Sequence, residues 1–290
     1  MRLSNAELEA YSENGFFVRL QVFQGEEVSA LKSAAECAVR IAKAMTESAS
    51  AIHYVLDGHR FVDIDHFTVQ FEHHEDAAEI RVIEPVHELH PYLAELVNDP
   101  RLIWPMRQLV KTPEVALWTA KLNLKSARVG SGFAWHQDTP YWIHDCDEPE
   151  RLPNVMVNFD DSSVANGCLY IVKGSHKLGM LPGCTDDRQL AGFYTDPCGF
   201  DMNAKVAIEV PPGSAVFLSS ACGSRFAGQP ILCAAAWGYS DLSAGGPAYT
   251  ETKRHRERAL LGVCPYALRH YRCDIASVAD IVKWIGIQQD

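Results

Sequence analysis

Apolar positions follow two rhythms along the chain, and the change between them falls near residue 115. Before it, they recur three and four residues apart. Val28, Leu31, Ala35, Ala38, Val39 and Ala42 line one side of a helix that opens at Gly25-Glu26-Glu27. Ser4-Asn5-Ala6-Glu7 has capping-box spacing, and the helix it starts should close at Asn14-Gly15. Phe16 to Leu20 reads as a short strand. Pro91 to Val97 and Leu102 to Val110 read as two short helices broken at Asn98-Asp99-Pro100. Residues 49–85 are rich in His and Asp and read as irregular.

From Val115 onward, short β-type runs take over. Val115 to Trp118, Asn154 to Asp160, Leu169 to Val172, Lys205 to Val210, Ala215 to Leu218 and Leu232 to Tyr239 read as strands. In Asn154 to Asp160, Val155, Val157 and Phe159 alternate with Asn154, Met156 and Asn158, the pattern of a half-buried strand. Several short strands with long connections predict a mostly β fold with α additions. The expected core is a jelly-roll or cupin-like barrel flanked by N-terminal helices. No stretch reads as a linker, so one domain is expected over 1–290. It has a mainly helical part (1–114), a jelly-roll core (115–240) and a C-terminal extension (241–290). Val278, Ile281, Val282 and Ile285 place a packing helix in that extension. Such a helix would suit a homodimer or a heterodimer with a paralogue.

Composition narrows the partners. Lys+Arg number 26 and Asp+Glu 37, a net charge of −11, so the global basic footprint of a nucleic-acid binder is absent. No apolar run is long enough for a membrane span, and Met1 to Glu7 has no signal-peptide character. Nine cysteines without a CxxC pair point to reduced thiols in the cytoplasm rather than to a disulfide framework or a zinc site. No GxGxxG, P-loop or GxSxG motif occurs.

The sharpest chemical feature is Trp135-His136-Gln137-Asp138. On a strand, residues two apart face the same side. An imidazole and a carboxylate pointing together supply two of the three groups in a 2-His-1-carboxylate site for non-haem Fe(II). Spacing alone is weak, because His74-Glu75-Asp76 repeats it within a polar run. His136 differs in context: Gly130-Ser131-Gly132 precede it, and Thr139-Pro140-Tyr141-Trp142 follow. Trp135, Tyr141 and Trp142 suit either an apolar substrate cavity or core packing.

Leu122 to Lys125, Gly130 to Trp142, Asn158-Phe159-Asp160-Asp161, Asn166 to Tyr170 and Lys173-Gly174-Ser175-His176-Lys177 together resemble the core of the phytanoyl-CoA dioxygenase family. The opening segment, Leu3-Ser4 to Val22-Phe23, is similar to that family's first helix and strand. The resemblance implies a double-stranded β-helix as the jelly-roll core, Fe(II) as metal, 2-oxoglutarate as co-substrate and oxidation of a small molecule, such as a secondary metabolite. It makes His136 and Asp138 iron ligands and puts Lys125 beside the 2-oxoglutarate. Cys168 would fall in a pocket-lining strand, where a buried apolar filler is the simpler reading. His176 reads as structural.

The departure from that family is equally informative. It supplies a second iron-binding His and, further on, an Arg that pairs with the far carboxylate of 2-oxoglutarate. Residues 177–254 of this chain contain no histidine. Cys222-Gly223-Ser224 falls where the His is expected, and Ile231 or Leu232 where the Arg is expected. Three readings follow. Cys222 replaces the missing ligand; Arg225 folds back to the co-substrate; or the site is degenerate. In the last case the protein acts as a non-oxidative enzyme, a binding protein or a non-catalytic subunit.

Overall fold

A computed structural model describes residues 2–73, 77–125, 130–143, 146–188, 191–226 and 232–239, with backbone alone at 191 and 232–239. Contacts divide the chain after Tyr239, and the described residues all belong to the unit before that point. The expected helix over 275–287 and the His74-Glu75-Asp76 repeat lie outside the described residues.

The N-terminal helix α1 (Asn5–Asn14) is capped as its sequence predicts. The Ser4 hydroxyl accepts from the Glu7 amide, and the Glu7 carboxylate accepts from the Ser4 amide. Gly15 closes the helix at φ +85°, a conformation that costs a side chain dearly. β1 (Phe16–Arg19) follows, then α2 (Glu26–Thr46), whose face of Leu31, Ala34, Ala35, Ala38, Ile41 and Ala42 is buried. α3 (Pro91–Val97) and α4 (Pro100–Val110) each begin on a proline, capped by His90 and Asp99 respectively.

The expectation of irregular chain over 49–85 is overturned. β2 (Ile52–Leu56), β3 (His59–Ile64), β4 (Phe67–Phe71) and β5 (Ile80–Glu84) form an antiparallel run. Among the described residues, the part preceding residue 115 thus carries five strands beside its four α-helices. Asp57 and Gly58, at φ +52° and +78°, make the two-residue turn that matches the twist of its flanking strands. That Asp-Gly signal and the alternation Phe67-Thr68-Val69-Gln70-Phe71 were legible, but the density of His and Asp masked them.

The remaining strands are β6 (Val115–Asn123), β7 (Phe133–His136), β8 (Pro153–Asn158), β9 (Leu169–Val172), β10 (Lys205–Ile208), β11 (Ala215–Ser219), β12 (Ser224–Phe226) and β13 (Leu232–Tyr239). They build two antiparallel sheets: nine strands in the order β1-β11-β8-β13-β6-β5-β4-β3-β2, and four in the order β10-β9-β12-β7. This is the expected jelly-roll core, with the large sheet extended by β5 to β2. Between the sheets lie Phe16, Met156, Val216 and Leu218 from one side and Leu169, Ile171, Ile208 and Phe226 from the other. β8 is buried along its whole length, not half-buried, because it runs between β11 and β13 in the middle of the large sheet.

Candidate active site

β7 ends at His136, and the chain turns at once into a 3-10 helix over Thr139–Tyr141. Asp138 therefore lies on the turn rather than on the strand. The two side chains still converge, with His136 Nε2 3.7 Å from Asp138 Oδ1. The turn is held from the opposite segment, where the Ser220 carbonyl accepts from the amides of Asp138 (2.8 Å) and Thr139 (3.2 Å). Gln137, fully buried between them, donates to the Ala221 and Gly179 carbonyls at 2.6 and 2.8 Å.

Each member of the pair is oriented by a partner. His136 Nδ1 lies 2.8 Å from the Ala134 carbonyl, which can only accept. The proton therefore sits on Nδ1, and the Nε2 lone pair is directed toward Asp138. Asn154, the second residue of β8, donates through Nδ2 to Asp138 Oδ2 at 2.5 Å, leaving Oδ1 on the imidazole side. The gap between Nε2 and Oδ1 is shorter than the span of two bonds of about 2.0–2.2 Å to one ion, so both atoms can reach a common divalent metal. Among the described residues, no group of three or more His, Cys, Asp or Glu side chains is placed to hold a metal.

Around the pair stand an aromatic rim and a cationic wall. Tyr141 packs edge-on to His136 at 6.3 Å and stacks on Phe193 at 4.7 Å. Lys121 pairs with Glu84 at 3.2 Å and lies 5.9 Å from the Tyr141 ring. Burial opposes charge on Lys121, but the Glu84 and Asp138 carboxylates outweigh it and raise its pKa. Lys125 is buried against the Phe226 ring, 4.5 Å from its centroid, and approaches the Gly167 carbonyl at 3.5 Å. Burial and then the nearby Arg81 charge pull its pKa down to about 7.

The other residues singled out in the sequence sit elsewhere. The Cys222 thiol packs in the core between the sheets and faces the Gly15 carbonyl at 3.3 Å. Burial pushes its pKa up to about 12, far from the thiolate that binds metal. Arg225 is exposed. Its strand neighbours Ser224 and Phe226 point inward, so the alternation of β12 turns Arg225 to the opposite face from the one that meets His136. Cys168 is buried just before β9, and His176 donates from Nε2 to the Ser12 carbonyl at 3.0 Å. Trp135 packs on Phe200 and Val172, and Trp142 on Leu152, so both are core residues; Tyr141 alone reaches the rim.

Sequence reasoning missed Asn154, Lys121, Glu84 and Arg81. A cation inside the β-branched run Ile80-Arg81-Val82-Ile83 was the one available signal, since buried arginine needs a reason.

Comparison with known proteins agrees with this architecture. Residues 11–222 match the Phytanoyl-CoA dioxygenase (PhyH) family, and the chain belongs to that family. It is 30% identical over 182 residues to an ectoine dioxygenase of Bordetella parapertussis, a match covering 60% of this chain and 50% of that one. An L-proline trans-4-hydroxylase of Streptomyces griseoviridis is 30% identical over 109 residues, 37% of this chain and 40% of the relative. The chain thus spans about half the length, or less, of these curated relatives. Among solved structures, EctD from S. alaskensis with 2-oxoglutarate and 5-hydroxyectoine superposes with a TM-score of 0.62 at 20% identity, over 81% of this chain and 76% of EctD. EvdO2 from Micromonospora carbonacea var. aurantiaca, complexed with 2-oxoglutarate, gives 0.57 at 21% identity, over 85% and 96%.

Proposed function

We propose that this protein is a non-haem Fe(II), 2-oxoglutarate-dependent oxygenase acting on a small molecule. One observation carries the reading: in a PhyH-family jelly roll, His136 and Asp138 converge at 3.7 Å, each fixed by its own hydrogen bond. His136 through Nε2 and Asp138 through Oδ1 would hold the metal. Bound there with a 2-oxoacid, iron supplies the O2-dependent oxidising chemistry.

The chain's own residues do the rest. The Ala134 carbonyl holds the imidazole tautomer, and Asn154 keeps one carboxylate oxygen occupied so that the other is presented. Lys125, buried beside Phe226, faces the co-substrate with a single positive charge at or below neutral pH. Tyr141 and Phe193 form the rim over which a small substrate enters. The reading gives Cys222 and Arg225 no contact with metal or co-substrate, since one faces Gly15 and the other solvent. Relatives named for ectoine and L-proline support a substrate of that size. The thiols of Cys146, Cys168, Cys184, Cys198 and Cys222 are free, which supports a cytoplasmic setting. No helix among the described residues is long and apolar enough to cross a membrane.

The test is anaerobic equilibrium binding of Fe(II), followed by O2-dependent turnover of 2-oxoglutarate to succinate. Wild type should bind iron and release succinate, faster with a true substrate. Loss of iron binding in both His136→Ala and Asp138→Ala supports the assignment; iron affinity unchanged in either overturns it.

A further inference from the structure

Gln137 separates His136 from Asp138 in the chain and is fully buried. Its side-chain amide is saturated. Nε2 donates to the Ala221 carbonyl at 2.6 Å and to the Gly179 carbonyl at 2.8 Å, and Oε1 accepts from the Leu181 amide at 2.8 Å. Its backbone amide donates to Thr195 Oγ1 at 3.1 Å. Thr195, also buried, returns the contact, because its own amide donates to the Trp135 carbonyl at 3.0 Å. Two stretches remote in sequence, 179–184 and 192–196, are thus fastened to the few residues that carry the imidazole and the carboxylate.

The two stretches are also joined to each other. The Cys184 amide donates to the Tyr194 carbonyl at 2.6 Å, the Asp196 amide donates to the Pro182 carbonyl at 3.2 Å, and Gly183 pairs with Thr195 as an antiparallel bridge. A Cβ on Gly183 would stand 2.5 Å from the Gly192 carbonyl oxygen, so the backbones meet there only because both residues lack side chains. Two residues before Thr195, Phe193 stacks on Tyr141 at 4.7 Å, and Tyr141 meets His136 edge-on at 6.3 Å. The stretch that brings an aromatic ring to the rim is therefore anchored on the strand that bears the imidazole. Directional hydrogen bonds do this with less play than apolar packing, since a buried amide is satisfied in few geometries.

We propose that Gln137 and Thr195 are positioning residues. They fasten 179–184 and 192–196 to the turn that carries His136 and Asp138, so that an ion held by that pair also fixes the place of Phe193 on Tyr141. Both act through the turn and the rim, not by touching metal or substrate. Linkage makes the effect reciprocal: if the ion steadies the two stretches, the fastened stretches raise affinity for the ion by the same factor. This inference deepens the proposed function and rests on it for the identity of the ion, but the fastening itself is readable in metal-free protein.

Hydrogen exchange at the amides of Leu181, Cys184, Thr195 and Asp196 reads the fastening, first without metal and then at saturating Fe(II) under anaerobic conditions. In metal-free protein, Thr195→Val keeps the shape and loses the hydroxyl acceptor. It should speed exchange at Cys184 and Asp196 by at least about fivefold, as loss of one buried hydrogen bond requires. Thr195→Ser keeps the hydroxyl and should behave as wild type. Fe(II) should slow exchange at the same amides of wild type by at least about fivefold, the lower end of ordinary coupling between sites, and should have no effect on them in Gln137→Met. Fe(II) affinity, measured by competition with a chelator, should fall by a similar factor in Thr195→Val and Gln137→Met and recover in Thr195→Ser. Bonds that only stabilise the fold would alter exchange equally with and without iron and leave iron affinity unchanged, and that result overturns the proposal. So does metal-free Thr195→Val exchanging as slowly as wild type, or a wild type whose amides ignore saturating Fe(II). If Gln137→Met does not fold, the two Thr195 variants decide the matter alone. If wild type binds no Fe(II), the oxygenase reading falls, and the fastening stands or falls on the metal-free comparison of Thr195→Val with Thr195→Ser.

Discussion

The two sides of the candidate site are built on opposite principles. On the His136–Asp138 side the polar atoms are accounted for: Nδ1 by Ala134, Oδ2 by Asn154, and the turn itself by Ser220 and Gln137. Only Nε2 and Oδ1 remain, and they face each other. On the Arg81–Lys125 side the bookkeeping does not close. An Arg81 guanidinium nitrogen and a Glu72 carboxylate oxygen are buried without a hydrogen-bond partner among the described residues. The first side has its polar atoms paired, and the second leaves two of them open among the described residues. Preorganisation suits a metal, whose ligands must stand within narrow distances.

Four outcomes would break or sharpen that contrast. The largest effect belongs to the metal side: His136→Ala or Asp138→Ala should abolish measurable Fe(II) binding while the far-ultraviolet circular dichroism of the fold persists. Next comes Asn154→Leu, which frees Asp138 Oδ2 to rotate. Iron affinity should fall by about 10–100-fold without loss of the two ligands, measured by competition with a chelator. A fall no larger than experimental error would mean that the hydrogen bond does not position the carboxylate.

The cationic side predicts a pH effect. The folded Lys125 has a pKa of about 7 against 10.5 for the ordinary side chain. Between those values the unfolded chain binds more protons than the folded one, so this group makes stability rise as pH increases above about 7. Urea unfolding of wild type and Lys125→Met across that window should show the rise in wild type alone. The smallest effect is expected at Cys222. Replacing it by Ser should leave iron affinity unchanged, since its thiol faces Gly15, and should cost about 1–3 kcal/mol of stability by putting a hydroxyl in an apolar cluster. A marked loss of iron affinity would return Cys222 to the metal.

Much of the scaffold was legible because it depends on local rules. The Ser4–Glu7 cap, the Gly15 stop, the period of α2 and the run Leu232–Tyr239 each declare themselves within a few residues. The His136–Asp138 pair was legible from spacing and flanking glycines, although Asp138 reaches its place by a turn and not by strand alternation. The failures have a common cause. The strands β2 to β5 were hidden because polarity was read as irregularity, whereas an edge of a sheet tolerates polar faces. Arg81, Asn154 and Glu72 were missed because their meaning comes from partners distant in the chain: Gly132, Asp138 and Ser131 respectively. Arg225 stood out by its nearness in sequence to a missing residue, yet one step along a strand reverses the side a residue faces.

The most direct test of the whole account is the absorption spectrum of anaerobic protein given Fe(II) and 2-oxoglutarate together. A visible charge-transfer band that needs both additions, and disappears in Asp138→Ala, is the predicted result. A spectrum identical to that of the separate components at saturating iron would contradict the claim that this pair of side chains presents a metal to a chelating 2-oxoacid.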